Sequence, residues 1–518
     1  MVRVWSRREM LIAGGGALLL TACGSGASKG TSSTISGALV GADDPSVERR
    51  DAERRRSGAD TVTATVTASP VSVNIGGRDV STWAFGDRPG SGGIRATAGD
   101  LIDATFVNNL TSGNTVHWHG IALRNDMDGV HDLTQPMVEP GSSFRYRFTA
   151  PDPGTYWFHP HMGLELDRGL YAPLIVEDPN GPVAYDVDVT LMLDDWLDGY
   201  GRTAEDVLHE LQQSGGHSGH GGHMGGSSDT SGSGGMGGMG GMGGSGGMGS
   251  MANGGLVGDV SYPLHLINGR APSERDTINA KAGQRVRIRL INAGSDTAYR
   301  VVVGGHRLTV THADGFPVEP VEVDNVLLGM GERYDVVITA GDGAFPIVAV
   351  PEGKQDPAGE AMLRTTTGSA APSIGSRPAE LDGRTLEYSD LAATSAAQLA
   401  SRAPDRTIDV QLTASMSGYT HGIDGRSFPD ATPITVAEGE RVRMRVVNDT
   451  MMFHPIHLHG HTFQMVGAGS ARKDTVNVLS MSAVEFDIQA DNPGQWMLHC
   501  HNTYHLETGM ATVFSYRE

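Results

Sequence analysis

The sequence predicts an all-β chain of three β-sandwich domains, and two observations carry that reading. Three segments share one pattern: Ala98-Gly99-Asp100-Leu101-Ile102 through Asn108, Ala282-Gly283-Gln284-Arg285-Val286 through Asn292, and Glu438-Gly439-Glu440-Arg441-Val442 through Asn448. Each is a turn glycine, an alternating run and a closing Asn. In the second copy Val286, Ile288 and Leu290 alternate with Arg287 and Arg289, the period of a half-buried strand. Glycine and proline also punctuate the chain at short spacing, with 72 Gly and 25 Pro in 518 residues. Many short strands between such turns mean sandwiches. Copies this far apart mean whole domains repeated, not a solenoid.

The elements follow in chain order. Arg3, Arg7 and Arg8 precede an apolar run from Leu11 to Leu20. A charged start, a short apolar stretch and small residues after it describe an export signal over 1–23. The run is too short to cross a bilayer, which takes ~20 residues. Ser6-Arg7-Arg8-Glu9-Met10-Leu11 resembles a twin-arginine signal. Leu20-Thr21-Ala22-Cys23 resembles a lipobox, in which Cys23 carries the lipid that anchors the exported protein at the cell envelope. Residues 24–60 are Ser/Gly-rich and then charged, and read as a flexible tether. The first sandwich is expected over 61–200, the second over 256–375 and the third over 376–518.

Residues 201–255 are expected to be an insert outside the domains. Between 214 and 255 lie 21 of the 72 glycines, six methionines and three histidines. Such a segment cannot bury enough apolar area to offset its ordering entropy. The net charge of −21 argues against a nucleic-acid partner, because no basic field would attract phosphates.

The 20 histidines decide the chemistry. They concentrate in His117-Trp118-His119-Gly120, His159-Pro160-His161, His454-Pro455-Ile456-His457-Leu458-His459-Gly460, and His499-Cys500-His501 followed by His505 and Met510. Copies one and three agree without a gap at an offset of 340: His117 maps to His457, His119 to His459, His159 to His499 and His161 to His501. In copy two, Ala298, Val301 and Val303 stand at the histidine positions, so that domain reads as a spacer. On a strand, residues i and i+2 share a face. His499 and His501 therefore reach one centre while Cys500 faces another. Eight histidines (117, 119, 159, 161, 457, 459, 499 and 501) converge where domains one and three meet. Cys500 joins His454 and His505, with Met510 as a long axial ligand, in the blue-copper pattern. At the same offset these four ligands map to Asn114, Pro160, Glu165 and Leu170, so domain one cannot build the thiolate site.

These motifs closely resemble the multicopper oxidase family: laccases, ascorbate oxidases and bacterial cuprous oxidases. The resemblance covers roughly residues 60–518 and implies cupredoxin-like Greek-key sandwiches holding four copper ions. It implies a type 1 copper on His454, Cys500, His505 and Met510, and a type 2 copper on His117 and His457. It implies a type 3 pair on His119, His159, His161, His459, His499 and His501. Electrons from a one-electron reductant would pass from the type 1 site through Cys500 to His499 and His501, reducing O2 to water. Asp128 matches an acid that family members place near the cluster. Where copper-oxidising relatives carry Glu after the type 1 His, this chain has Leu506, with Glu507 one residue on; Glu507 is carried as a relay candidate.

The reductant turns on sulfur, because soft thioethers select Cu(I). Met451 and Met452 precede His454. In cuprous oxidases a Met and an acid here bind substrate copper; Met452 matches, while the acidic position holds Thr450 with Asp449 beside it. Met236, Met239, Met242 and Met248 of the insert resemble a copper lure. The leading expectation is oxidation of Cu(I) to Cu(II) in copper detoxification. The alternatives are laccase-like oxidation of phenols and aryl amines, or a non-enzymatic copper-sequestering lipoprotein.

Overall fold

The repeat glycines open strands that pair in the order a sandwich requires. The structure, a computed structural model, describes residues 37–178, 185–214, 255–415 and 417–518. In the first domain, the sheet Arg78–Ala84, Thr61–Ile75, Leu101–Asn108 and Ser143–Thr149 faces a second of Ile94–Thr97, Ala172–Glu177, Gly154–His159 and His117–His119. Among the described residues the other two sandwiches each combine a six-stranded and a five-stranded sheet, in which consecutive and non-consecutive neighbours both occur. The fold is all-β with three Greek-key sandwiches, as the alternating runs predict.

The offset of 340 survives as strand register. His117 pairs with His159 across one sheet, and His457 pairs with His499 across the other. One apolar cluster runs through the first and third sandwiches, from Trp118 and Phe158 to Leu498 and Cys500. Trp118 faces this core while His117 and His119 face away from it, the alternation expected of a strand.

Four boundary expectations need correction. Residues 37–60 do not behave as a tether. Helix α1, Pro45–Arg54, is capped by Asp44, whose carboxylate accepts from Ser46 N at 2.8 Å. Its buried Asp51 accepts from Thr149 N at 2.8 Å. Arg54 Nη1 donates to Ala122 O (2.7 Å) and to Asn492 Oδ1 (2.9 Å), tying the first domain to the third. The charge run is the amphipathic face of a docked helix.

The strand Val187–Trp196, placed by the sequence in domain one, pairs in parallel with Arg285–Asn292 and belongs to the second sandwich. Residues 204–214, assigned to the insert, form helix α2, Ala204–Ser214, which buries Val207 and Leu211 against Val260, Tyr262, Tyr419 and Tyr504. The stretch from 376, assigned to domain three, runs along domain two: Leu386 and Leu391 complete its core, and the third sandwich begins at Arg406–Ser415. In each case the local pattern was compatible with either neighbour, and long-range pairing decided. The signal, Cys23 and the insert methionines lie outside the described residues. Among the described residues no helix is long and apolar enough to cross a membrane.

Candidate metal centres

The eight matched histidines meet between domains one and three. His117 stacks on His459 with ring centroids 3.7 Å apart, and His119 stacks on His457 at 3.7 Å. His161, His459 and His499 bring ring nitrogens within 4.8 Å of one another, as do His117, His119 and His159. His501 lies 4.9 Å from His119 and 5.2 Å from His159 between centroids. Trp157 covers the side, 4.4 Å from the His159 ring.

One nitrogen of most rings is committed to the protein. His117 Nδ1 donates to Asp128 O (2.9 Å), His457 Nδ1 to Asp474 O (3.0 Å), His159 Nδ1 to Pro160 O (2.8 Å) and His499 Nδ1 to Cys500 O (2.8 Å). The opposite nitrogens are buried without a partner among the described residues: His117 Nε2, His119 Nδ1, His159 Nε2, His161 Nε2, His457 Nε2 and both of His501. His459 Nε2 and His499 Nε2 face each other at 3.0 Å. Leaving so many buried polar atoms unpaired is costly unless a ligand satisfies them. Burial, and then repulsion among neighbouring rings, hold His119, His159, His161, His459, His499 and His501 well below the ordinary imidazole value. For these six rings both causes favour the neutral form, the one that binds metal. The donor set fits copper, with outer hydrogen bonds fixing each ring's orientation.

Two carboxylates clamp the cluster across the seam. Asp128 of domain one accepts from His459 Nδ1 of domain three at 2.9 Å, and lies 3.2 Å from His117 Nδ1. Asp474 of domain three lies 3.2 Å from His119 Nε2 of domain one and 3.4 Å from His457 Nδ1. Asp474 was not anticipated, because at the offset of 340 Asp128 maps to Ala468. Its sequence signal is weak: Asp474 closes a charged triplet, Arg472-Lys473-Asp474, that reads as an ordinary surface turn.

Domain two is not a spacer. Its Arg333 donates from Nη1 and Nη2 to the two oxygens of Asp474, each at 2.7 Å, with no exposure at either side chain. Burial alone would raise the Asp474 pKa, but Arg333 and the His119 and His457 hydrogen bonds hold it well below the carboxylate range. Gly331 adds the closest approach. It sits at φ +83°, and a Cβ there would meet His501 Cδ2 at 2.9 Å and His119 Cε1 at 3.0 Å.

The second centre lies on the other face of the same strand. Cys500 Sγ is 3.7 Å from His454 Nδ1 and 3.5 Å from His505 Nδ1, all buried. Asn502 caps helix α3, Thr503–Glu507, by accepting from Tyr504 N and His505 N, which presents His505. Met510 is buried beside them, its carbonyl accepting from Cys500 N at 3.0 Å. Among the described residues Cys500 makes no disulfide, consistent with a thiolate ligand.

The remaining candidates divide. Met451 is 67% exposed, Met452 is half-buried, and exposed Asp449 accepts from Gln411 Nε2 at 2.8 Å. Thr450 is buried, with its hydroxyl 2.8 Å from His454 Nε2. Exposed Met481 was not singled out by sequence; Ser480 Oγ donates to Thr450 O at 2.8 Å, bringing its loop beside Met451. Glu507 is exposed on α3, two residues beyond His505, and makes no side-chain hydrogen bond among the described residues.

Three β-sandwiches, with a histidine cluster at the seam and a site of one cysteine and two histidines beside it, define a copper oxidase architecture. Three multicopper oxidase family models match residues 67–181, 188–368 and 401–518, and the chain belongs to the multicopper oxidase family of oxidoreductases. It is 44% identical to the multicopper oxidase MmcO of Mycobacterium tuberculosis, over 99% of this chain and 97% of that one. It is 28% identical to copper resistance protein A of Escherichia coli, covering 86% and 91% of the two chains. The crystal structure of a multi-copper oxidase from Pseudomonas Parafulva superimposes with a TM-score of 0.65 at 27% identity, over 87% of this chain and 99% of that one.

Proposed function

We propose that this chain couples oxidation of Cu(I) to Cu(II) with four-electron reduction of O2 to water, in copper detoxification. The observation that carries the oxidase reading is the set of buried, unpartnered ring nitrogens converging from two domains. His117 and His457 would hold a type 2 copper, and His119, His159, His161, His459, His499 and His501 a type 3 pair. His454, Cys500, His505 and Met510 would hold a type 1 copper, making four ions in all. Bound copper supplies one-electron redox chemistry and binds O2.

The chain's own residues do the rest. Cys500 sits between His499 and His501, so covalent bonds join the sulfur to two imidazoles of the cluster. Asp128 and Asp474 orient rings across the domain seam, and Asp128 is the acid placed to hold a proton beside the cluster. The stacked rings and Trp157 exclude bulk water. Cu(I) is favoured as reductant by two exposed thioethers, Met451 and Met481, on loops that touch through Ser480 and Thr450. The copper resistance protein A relatives point the same way. Export through the twin-arginine-like signal and a lipid on Cys23 would place this activity at the cell envelope.

The test compares O2 uptake driven by Cu(I) and by a phenol at low micromolar donor. Faster Cu(I) turnover is expected, and phenol turnover that equals or exceeds it would favour a laccase-like enzyme. Cys500→Ser should abolish uptake with both donors. Unchanged copper protection in cells carrying that variant would instead support sequestration. Removing residues 214–255 should weaken Cu(I) turnover more than phenol turnover.

A further inference from the structure

The outer edge of His505 is covered. Its Nδ1 faces Cys500, so Nε2 is the nitrogen that points away from the sulfur. That nitrogen lies 3.2 Å from Asp259 Oδ2, and Tyr419 OH donates to the same oxygen at 2.5 Å. The His421 ring lies over His505 with centroids 4.2 Å apart, and its Nδ1 is 2.7 Å from Thr508 Oγ1. His505 has no exposure, and the Asp259 side chain is only 10% exposed.

The cover is built into the fold. Buried Asp296 accepts from Asp259 N (3.0 Å), Val260 N (2.8 Å), Lys354 Nζ (2.9 Å) and Asn502 Nδ2 (2.7 Å). It thereby locks the Asp259 backbone to the residue that caps the His505 helix. Helix α2 backs Tyr419 and Val260 through Val207 and Leu211. Tyr419 holds φ at +48°, a conformation unusual for an aromatic residue and one that persists only where surroundings enforce it.

We propose that Asp259 and Tyr419 form a fixed cap that closes the His505 edge to aromatic donors and so determines donor specificity. The inference rests on the type 1 reading of Cys500, His454 and His505. On the opposite flank Thr450 Oγ1 lies 2.8 Å from His454 Nε2, and the exposed Met451 offers a soft thioether to a small cation. The cap acts by exclusion: the Tyr419 ring, its centroid 6.0 Å from that of His505, occupies the space a donor ring would need to approach that edge.

Tyr419→Gly tests this directly, because glycine accepts the backbone conformation and removes the ring. In the copper-loaded full chain, kcat/KM for 2,6-dimethoxyphenol should rise roughly tenfold or more, the scale of a single pocket contact, while that for Cu(I) changes far less. Tyr419→Phe, which keeps the ring, should stay close to the parent ratio. In the copper-free chain, Tyr419→Gly should bind phenol in the vacated space, detectable by calorimetry, and the parent should not. An unchanged donor ratio with intact blue absorption would overturn the cap. So would an equal rise for both donors, which would mean a change in potential. If Tyr419→Gly fails to melt cooperatively, Asp259→Ala, which removes the cap's anchor, carries the same expectations. Absence of blue colour and O2 uptake in the parent protein would instead sink the oxidase reading, and the phenol-binding measurement would then test the cap independently.

Discussion

Asp128 Oδ2 lies 2.9 Å from His459 Nδ1, although the two residues belong to different sandwich domains. Asp474 makes the reciprocal contact to His119 from the other side. Each domain thus orients a ring of its partner, so the cluster is shaped only when both are docked. Asp128→Asn keeps the shape but replaces the carboxyl group facing two imidazoles with an amide that cannot exchange a proton. A fall in turnover of about 10- to 100-fold is expected, as for other residues that orient metal ligands. Retained blue absorption would show that the Cys500 site is untouched; O2 uptake and the visible spectrum give the two readouts.

Arg333 places the second domain of the chain under the same constraint. Its planar fork satisfies both Asp474 oxygens at 2.7 Å. Arg333→Leu leaves Asp474 buried without its countercharge, a loss of about 3–5 kcal/mol. Arg333→Lys restores charge but not the bidentate geometry, and should recover only part of it. Denaturant unfolding of both variants checks the order.

Gly331 leaves no space for a side chain. In Gly331→Ala the new methyl would press on His501 and His119, and the φ of +83° adds strain. Copper content should fall below the parent's, read by metal analysis, with loss concentrated in the histidine cluster and the blue band retained. Full occupancy of all sites would show that the rings yield more readily than the packing implies.

Acid should weaken the second domain through His312. Burial lowers its pKa to about 4, outweighing the attraction of Asp335. The unfolded chain, with a histidine near 6.5, therefore takes up a proton first. Stability from this group is full above about pH 6.5 and declines as pH falls toward about 4, by roughly 3 kcal/mol at most. His312→Gln should flatten that part of the curve; an unchanged difference between unfolding free energies at pH 7 and pH 4.5 would contradict it.

Helix α1 should stabilise the seam. Arg54→Ala removes hydrogen bonds to Ala122 O and Asn492 Oδ1 in two domains. A loss of about 1–3 kcal/mol is expected, read as a lower melting temperature with little change in the blue band.

The chain's own sequence determined the three sandwiches, the matched histidine pairs and the separate thiolate site. These rest on short-range rules: period-two alternation, i and i+2 on one face, and a gap-free offset that maps His117 onto His457. Tertiary structure decided what those rules cannot reach. Asp474 had no repeat partner to reveal it, and Arg333 and Gly331 lay in a domain without cluster histidines. The charge run of α1 looked solvated until it docked on Ala122 and Asn492. Asp259 meets His505 across 246 residues of chain, a contact that no local pattern encodes. Ligand identity is written in spacing along a strand; ring orientation, access and countercharge depend on which distant segments pack against it.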